Sequence, residues 1–163
     1  MKTILTFFSI FLLPLFLRAQ TTRTVTTAAD AGPGSLREAL SSAATNDQIV
    51  FAPGLSGQTI RLASQLTLNK SLTLDGRAAP GLALSGEGRT RILRIDYSFV
   101  TVTIRHLTFA DGRAADADPN TSLRGGAIEL LDPNTLRLEN CRFLRNVGER
   151  SGALFVGYGA RAT

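Results

Sequence analysis

The chain has 163 residues, among them 18 lysine and arginine residues, 13 acidic residues, one histidine and one cysteine. A single cysteine excludes an internal disulfide framework, so a fold of this chain must be stabilised by burial of apolar surface. With one histidine and one cysteine, we expect neither a catalytic triad nor a histidine metal cluster.

The first 20 residues differ from the rest in composition. A short basic start precedes residues 4–17, which are nearly all apolar and are interrupted by Pro14. This pattern predicts a signal peptide at 1–20 with cleavage near Ala19 or Gln20, and the alternative is a retained membrane anchor. No later segment is apolar enough to span a membrane. The mature chain is therefore expected to be secreted or on the cell surface, with no transmembrane segment.

A helix is predicted at residues 35–44. Ser35 and Glu38 have the spacing of a capping box, in which the serine oxygen accepts from the glutamate amide and the glutamate reaches back to the serine amide. Leu36, Ala39 and Leu40 share one face. Together with a first strand, this helix forms an N-terminal unit at 21–48 that caps the apolar end of the β-rich remainder of the chain.

That remainder, at 49–163, contains short alternating segments separated by turn residues. No second long helical pattern is present, so the sequence predicts an all-β fold. The predicted strands are 21–27, 49–51, 59–62, 66–74, 82–84, 92–95, 100–109, 127–131, 136–143 and 153–155.

A repeat relates residues 102–109 to residues 136–143, which lie 34 positions later. Both copies have apolar residues at relative positions 1, 3, 6 and 8, with two-residue bends at 105–106 and 139–140. Residues 66–74 have the same form with one extra residue in the bend. Short strands also suit a sandwich or a barrel, but a period of about 35 with matching apolar positions favours a solenoid of stacked coils.

Six segments together resemble the opening of secreted right-handed parallel β-helix proteins. These include proteins with the CSLREA domain and bacterial polymorphic outer-membrane adhesins. The segments are GPGSLREA at 32–39, DQIVF at 47–51, GQTI at 57–60, LTLDG at 72–76, GGAI at 125–128 and NCRF at 140–143. The resemblance covers nearly all of residues 24–158. It implies a right-handed parallel β-helix at 49–163 and a cell-surface, adhesin-like role.

Residues 49–163 suffice for about five coils, and no closing cap is visible in the sequence. We therefore expect a fragment of a longer protein, with further β-helix coils or a partner chain at the C-terminal edge.

Two carboxylates are the candidates for glycoside hydrolysis, which needs an acidic pair across the scissile bond. Asp75 and Asp111 are predicted to end corresponding strands, so stacking could bring them together. Each also precedes a glycine, and Asp-Gly is a turn signal in its own right. The turn interpretation is favoured.

The segment after Asp111 contains the only candidate calcium loop. Asp116, Asp118 and Asn120 have alternating oxygen ligands, but Thr121 replaces the glycine and Ala127 stands where a glutamate belongs. The segment is interpreted as a polar excursion between coils.

His106 and Asn140 occupy equivalent bends and are predicted to form a polar turn stack. Cys141 matches Leu107 of the preceding copy, so it is predicted to be a small core residue, with a nucleophile or ligand as the alternative.

Four arginines gather in one stretch, at Arg137, Arg142, Arg145 and Arg150. They favour binding of an acidic polysaccharide or an anionic cell surface. The alternative is that they are solvent-exposed residues on the outer faces of strands. A nucleic-acid surface would cluster them with stacking aromatic residues, so no nucleic-acid partner is expected.

The resulting hypothesis is a non-catalytic secreted or cell-surface module that binds polysaccharide or cell-surface glycans. One alternative is a fragment of a polysaccharide lyase or glycoside hydrolase, and another is a purely structural spacer. No residue is assigned a catalytic, cofactor-binding or metal-binding role, and no cofactor is expected.

Overall fold

A computed structural model describes residues 20–96, 99–114 and 124–163. All of the predicted signal peptide except Gln20 lies outside these ranges, as do the candidate calcium-loop residues Asp116, Asp118 and Asn120. Within the described residues, no helix has the length and apolar character needed to cross a membrane.

The described residues form one α-helix, α1 (Leu36–Ser42), one 3-10 turn (Pro53–Leu55) and short strands. Most strands contain three to five residues. The strands are β1 (Thr22–Val25), β2 (Gln48–Phe51), β3 (Thr59–Arg61), β4 (Leu66–Leu68), β5 (Leu72–Asp75), β6 (Ala83–Ser85), β7 (Leu93–Ile95), β8 (Thr101–Arg105), β9 (Thr108–Ala110), β10 (Ile128–Leu130), β11 (Thr135–Glu139), β12 (Arg142–Leu144), β13 (Leu154–Val156) and β14 (Arg161–Ala162).

These strands form three parallel sheets. Sheet A has the order β1-β2-β5-β8-β11-β14, sheet B the order β12-β9-β6-β3, and sheet C the order β13-β10-β7-β4. From β2 onward the chain visits the three sheets in rotation, so each strand pairs with the strand three positions later. The mostly β, parallel-sheet character that the sequence predicts is confirmed.

The core consists of one face of every sheet. Strand alternation directs Ile49, Leu84 and Ile128 into a single apolar cluster to which all three sheets contribute. Parallel register places like residues beside each other, as with Leu66, Leu93 and Ile128 in sheet C. Full burial of such a side chain stabilises the fold by about 1.5–3 kcal/mol.

The repeat between residues 102–109 and 136–143 is confirmed by the strand register. Val102 lies beside Leu136 in sheet A, and Phe109 lies beside Phe143 in sheet B. The two phenyl rings stack with centroids 5.2 Å apart. The bends lie one residue later than predicted, at 106–107 and 140–141, because Arg105 and Glu139 still belong to strands. Their first residues, His106 and Asn140, have φ of 55° and 54°.

The predicted third copy at residues 66–74 is wrong in register. Leu72 pairs with Val102 in sheet A, whereas Leu66 pairs with Leu93 in sheet C. Three-residue strands with alternating apolar residues occur in all three sheets. The sequence pattern therefore does not show to which sheet a strand belongs.

The predicted fixed period of about 35 is also wrong. Hydrogen-bonded neighbours in adjacent strands are 26 residues apart at Gly125 and Ser151, but 34 apart at Gly112 and Asn146. Turns of different length explain the difference, since the strands keep their pairing whatever length of chain connects them.

The capping of α1 follows the prediction in part. Ser35 Oγ accepts from the Glu38 amide at 3.2 Å, as expected. Glu38 Oε2 accepts from the Gly34 amide at 2.6 Å, whereas the Ser35 amide donates to the Gly32 carbonyl. The predicted return bond to Ser35 is therefore wrong. Gly34 has a φ of +77°, which favours glycine and turns the chain just before the helix.

The helix α1 packs on the segments that flank β4. Its predicted apolar residues, Leu36, Ala39 and Leu40, all belong to the core cluster. Lys70 Nζ donates to the Ala43 carbonyl at 2.8 Å and Arg37 donates to the Ser64 carbonyl at 2.7 Å. The lysine thus satisfies a backbone carbonyl at the C-terminal end of the helix.

Asn134 connects the turn before β11 to the turn before β8 through hydrogen bonds. Its side-chain oxygen accepts from the Val100 amide at 2.9 Å, and its amide group donates to the Leu131 carbonyl at 2.9 Å and to the Asp96 carbonyl. The residue is buried, so these bonds satisfy a polar group that would otherwise be costly to bury.

Asp47 joins β1 to the segment after α1. Its carboxylate accepts from the Ala44 amide at 2.8 Å, the Thr21 amide at 3.1 Å and Arg23 Nε at 3.2 Å. The bond from the Ala44 amide, with those from Thr21 and Arg23, holds the pKa of Asp47 below its ordinary value, although burial acts in the opposite direction.

The first prediction concerns the N-cap of α1. Ser35→Ala removes the oxygen that accepts from the Glu38 amide, so the free energy of unfolding falls by about 1 kcal/mol. Ser41→Ala, an exposed position of the same helix, is the matched control and leaves stability nearly unchanged. Urea denaturation followed by circular dichroism measures both, and equal effects would refute the role of the cap.

The second prediction concerns pH. Because its folded-state pKa is lowered, Asp47 stabilises the fold above its unfolded pKa, and this contribution is lost as the pH falls through the folded pKa. Asp47→Asn therefore lowers the urea midpoint at pH 7, and the gap from wild type narrows below about pH 4. The lowered pKa of Asp111 is present in both proteins and cancels. A gap that stays constant with pH would contradict the assignment.

Candidate functional site

A groove lies over the outer face of sheet B. Inward positions are taken by Ile60, Leu84 and Phe109, so the alternate residues of β3, β6, β9 and β12 face outward. Small residues such as Ala83 and Thr108 occupy the middle of this face. They leave a groove of about 400 Å³.

Two ion pairs border this groove. Arg61 Nε lies 3.4 Å from Glu87 Oε1, and Arg145 binds both carboxylate oxygens of Asp111, at 2.7 and 2.9 Å. The hydrogen bonds from Arg145 hold the pKa of Asp111 below its usual range. These arginines are therefore neutralised by carboxylates on the protein itself.

A second cleft, of about 300 Å³, continues from the groove toward the bends between sheets A and B, and we call it the corner cleft. The two share Gly81, Thr108 and Arg142 among their lining residues. Arg77 and Asn140 complete the rim of this second cleft. The corner cleft and the groove thus form one continuous surface.

His106 and Asn140 form the predicted turn stack in the corner cleft. Asn140 Nδ2 lies 3.2 Å from His106 Nε2, and His106 Nδ1 lies 3.7 Å from Asp75 Oδ1. Beneath them, a Cβ atom at Gly76 would approach the His106 carbonyl oxygen to 2.5 Å. Only glycine allows this approach, so Gly76 sets the depth of the cleft floor.

Arg77 and Arg142 differ from the arginines of the ion pairs. Both are exposed, both line the corner cleft, and neither forms a salt bridge with any residue in the described part of the chain. Their guanidinium groups are available to a ligand, and guanidinium donors match carboxylate oxygens in pairs.

The prediction that Asp75 and Asp111 end corresponding strands is wrong. Asp75 belongs to β5 in sheet A and lies beside Arg105, whereas Asp111 follows β9 in sheet B and binds Arg145. Asp75 also accepts from the Arg77 amide at 3.0 Å, as a turn aspartate does. The structure thus gives these carboxylates separate local partners.

Cys141 is predicted to be a core residue, but it is only partly buried and packs against the edge of the core cluster. Its position is next to that of Leu107, since Arg142 pairs with Thr108, and Sγ lies 3.5 Å from the Ile104 carbonyl oxygen. Burial raises the pKa of the Cys141 thiol. The thiolate needed of a nucleophile or metal ligand is therefore disfavoured.

The four gathered arginines lie on different faces. Arg142 and Arg145 line the groove of sheet B, Arg137 is exposed on sheet A, and Arg150 lies in the turn between β12 and β13. Within the described ranges, no group of three or more histidine, cysteine, aspartate or glutamate residues could hold a metal ion.

Sequence reasoning missed a buried ion pair at sheet C, in which Glu129 alternates with the core residues Ile128 and Leu130 of β10. Arg91 is 2% exposed and its Nη1 lies 3.1 Å from Oε2 of Glu129, which is 6% exposed. Arg91 also donates to the Gly125 carbonyl at 3.1 Å and to the Gln65 side chain at 3.0 Å. A charged residue at the start of an alternating strand is typical of a solvated face, so the sequence contains no signal for this pair.

The third prediction concerns this pair. Glu129→Gln removes the negative charge 3.1 Å from the buried Arg91 guanidinium, so the free energy of unfolding falls by about 3 kcal/mol. Glu139→Gln removes an exposed partner of Arg105 and costs less than about 1 kcal/mol. Thermal and urea unfolding of the two variants measure the difference. Equal losses would show that burial of the pair is irrelevant to stability.

No protein-family model matches the chain, and no curated protein is significantly similar to it in sequence. Membership of a β-helix family is therefore a hypothesis that rests on six short segments of the chain, from GPGSLREA at 32–39 to NCRF at 140–143.

Proposed function

We propose that the chain is a right-handed parallel β-helix that acts as a non-catalytic, secreted or cell-surface module for binding glycans. The pairing of every third strand in three parallel sheets supports the β-helix. Its right hand follows from the general rule that a connection between parallel strands of one sheet crosses over right-handedly. Export is supported by the composition of residues 1–20.

The continuous surface on sheet B is the observation that carries the binding role. It crosses β3, β6, β9 and β12, which at about 4.8 Å per strand gives a length of roughly 15 Å. An open groove of this length suits an extended chain of several similar units better than a compact small molecule, which binds in an enclosed pocket. A polysaccharide is such a chain.

The side chains on this surface also suit a glycan. Thr59, Thr108 and Asn140 offer hydroxyl and amide groups to sugar hydroxyls, while arginines lie along the same face. Asp75 and Asp111 have their own partners on the protein, and a turn and a salt bridge account for their positions. We therefore propose binding without cleavage.

The fourth prediction tests export and binding together. The full chain is expressed in a bacterium, and the protein recovered from the medium and cell surface is passed over immobilised polysaccharides, both neutral and acidic. We expect recovery of a processed protein that begins near residue 20, retention on at least one polysaccharide, and unchanged viscosity of that polysaccharide in solution.

Three outcomes would contradict this proposal. A protein that stays in the cytoplasm refutes export, and a protein that binds neither a polysaccharide nor a cell surface refutes the binding role and favours a spacer. Falling viscosity with release of unsaturated sugars would favour a lyase.

A further inference from the structure

The arginines around the surface of sheet B fall into two groups. Arg61 and Arg145 each lie within salt-bridge distance of a carboxylate, at 3.4 and 2.7 Å. Arg77 and Arg142 form no such pair with any residue that the structure describes. Both residues of this second group line the corner cleft, and Arg142 also lines the adjoining groove.

The cleft brings together one cation from the turn between two strands and one from a strand. Arg77 follows β5 and precedes β6, whereas Arg142 begins β12, with β9 between β6 and β12 in sheet B. At the usual strand spacing, the chain segments that carry them are roughly 10 Å apart. His106 and Thr108 belong to the strand pass between them, Asn140 lies beside Arg142 in the chain, and all three offer polar groups. A ligand in the cleft would therefore meet a cation, a polar floor and a second cation.

This arrangement favours an extended ligand with widely spaced negative charges. A guanidinium group binds a carboxylate through two parallel hydrogen bonds, which gives both strength and direction. Two cations separated by a polar floor match a chain that carries one carboxylate on each sugar. A heavily sulfated polysaccharide carries more negative charges per sugar than a uronate chain. The two arginines of the cleft would leave most of those charges unpaired.

A nucleic acid fits the cleft less well. Proteins that hold single strands stack the bases on aromatic rings, and the lining of this cleft contains no phenylalanine, tyrosine or tryptophan among the described residues. Duplex DNA needs many phosphate contacts along a basic stripe. The neighbouring arginines of sheet B are instead neutralised by Glu87 and Asp111.

We propose that the cleft between Arg77 and Arg142 binds the carboxylates of an acidic polysaccharide of the uronate type. This inference rests on the proposed function, because it names the class of glycan that the same surface takes. Arg77 and Arg142 bind carboxylates of two different sugars, and Thr108 and Asn140 contact hydroxyl groups of the same chain. Neutral sugars bind this cleft weakly, since they offer nothing to the two guanidinium groups.

The fifth prediction uses the full chain with oligogalacturonate, its methyl ester, dextran sulfate and a single-stranded oligonucleotide as probes in calorimetric titration. The double variant Arg77→Gln/Arg142→Gln loses oligogalacturonate affinity by about tenfold or more, because charge-assisted bonds are the strong ones. The methyl ester, which is neutral, binds wild type as weakly as oligogalacturonate binds the variant.

The control variant Arg89→Gln/Arg137→Gln removes two exposed arginines that do not line the cleft. Its net charge equals that of the double variant, and its affinity stays within about twofold of wild type. Asn140→Asp supplies an independent test, since a carboxylate in the cleft repels the ligand while leaving both arginines in place. Circular dichroism and urea midpoints check that each variant is folded.

The outcomes separate this inference from the proposed function. If the double variant still binds oligogalacturonate, or if the control variant loses as much affinity, the cleft is not the binding site. The proposed glycan-binding function would then still stand. Equal binding of dextran sulfate or of the oligonucleotide overturns the uronate assignment. Binding of none of the polysaccharides overturns the inference together with the proposed function.

Discussion

The burial of one face of every strand depends on in-register parallel stacking. Strands of three to five residues are too short to be stable alone, and each offers only one or two apolar side chains to the core. Pairing with the strand three positions later places these side chains in continuous rows, such as Leu66, Leu93 and Ile128. The polar residues that alternate with them are thereby directed outward in rows of their own.

The position of a polar residue along these rows determines which side chains are its neighbours in the adjacent strands. His106 and Asn140 occupy equivalent bends with positive φ, so their side chains meet at one corner. Asp111 and Arg145 are likewise brought together by stacking, although they are 34 residues apart. Arg142 follows the same rule, but the structure shows no carboxylate of the described residues in a salt bridge with it. The corner cleft thus gains its charge from a residue without a neutralising neighbour.

Buried polar groups fix parts of the molecule that apolar rows do not specify. Asn134 fixes the turn before β11 against the one before β8, and Asp47 joins β1 to the end of the helical segment. Arg91 and Glu129 place opposite charges where neither could be tolerated alone. Each of these groups acts through hydrogen bonds to backbone or side chains that are distant in sequence.

The local structure could be predicted from the sequence alone. It includes the short strands, the N-cap at Ser35, the apolar face of α1 and the repeat that pairs Val102 with Leu136. These features depend on alternation, capping and turn residues, which are encoded by near neighbours. Tertiary structure decided which strands share a sheet. Because of the strand pairing, Asp75 and Asp111 belong to different parts of the fold and Leu66 lies in sheet C. The same pairing buries Arg91 and brings Arg77 and Arg142 into one cleft. Turns of variable length connect similar strands, so only stacking of the whole chain fixes which residues become neighbours.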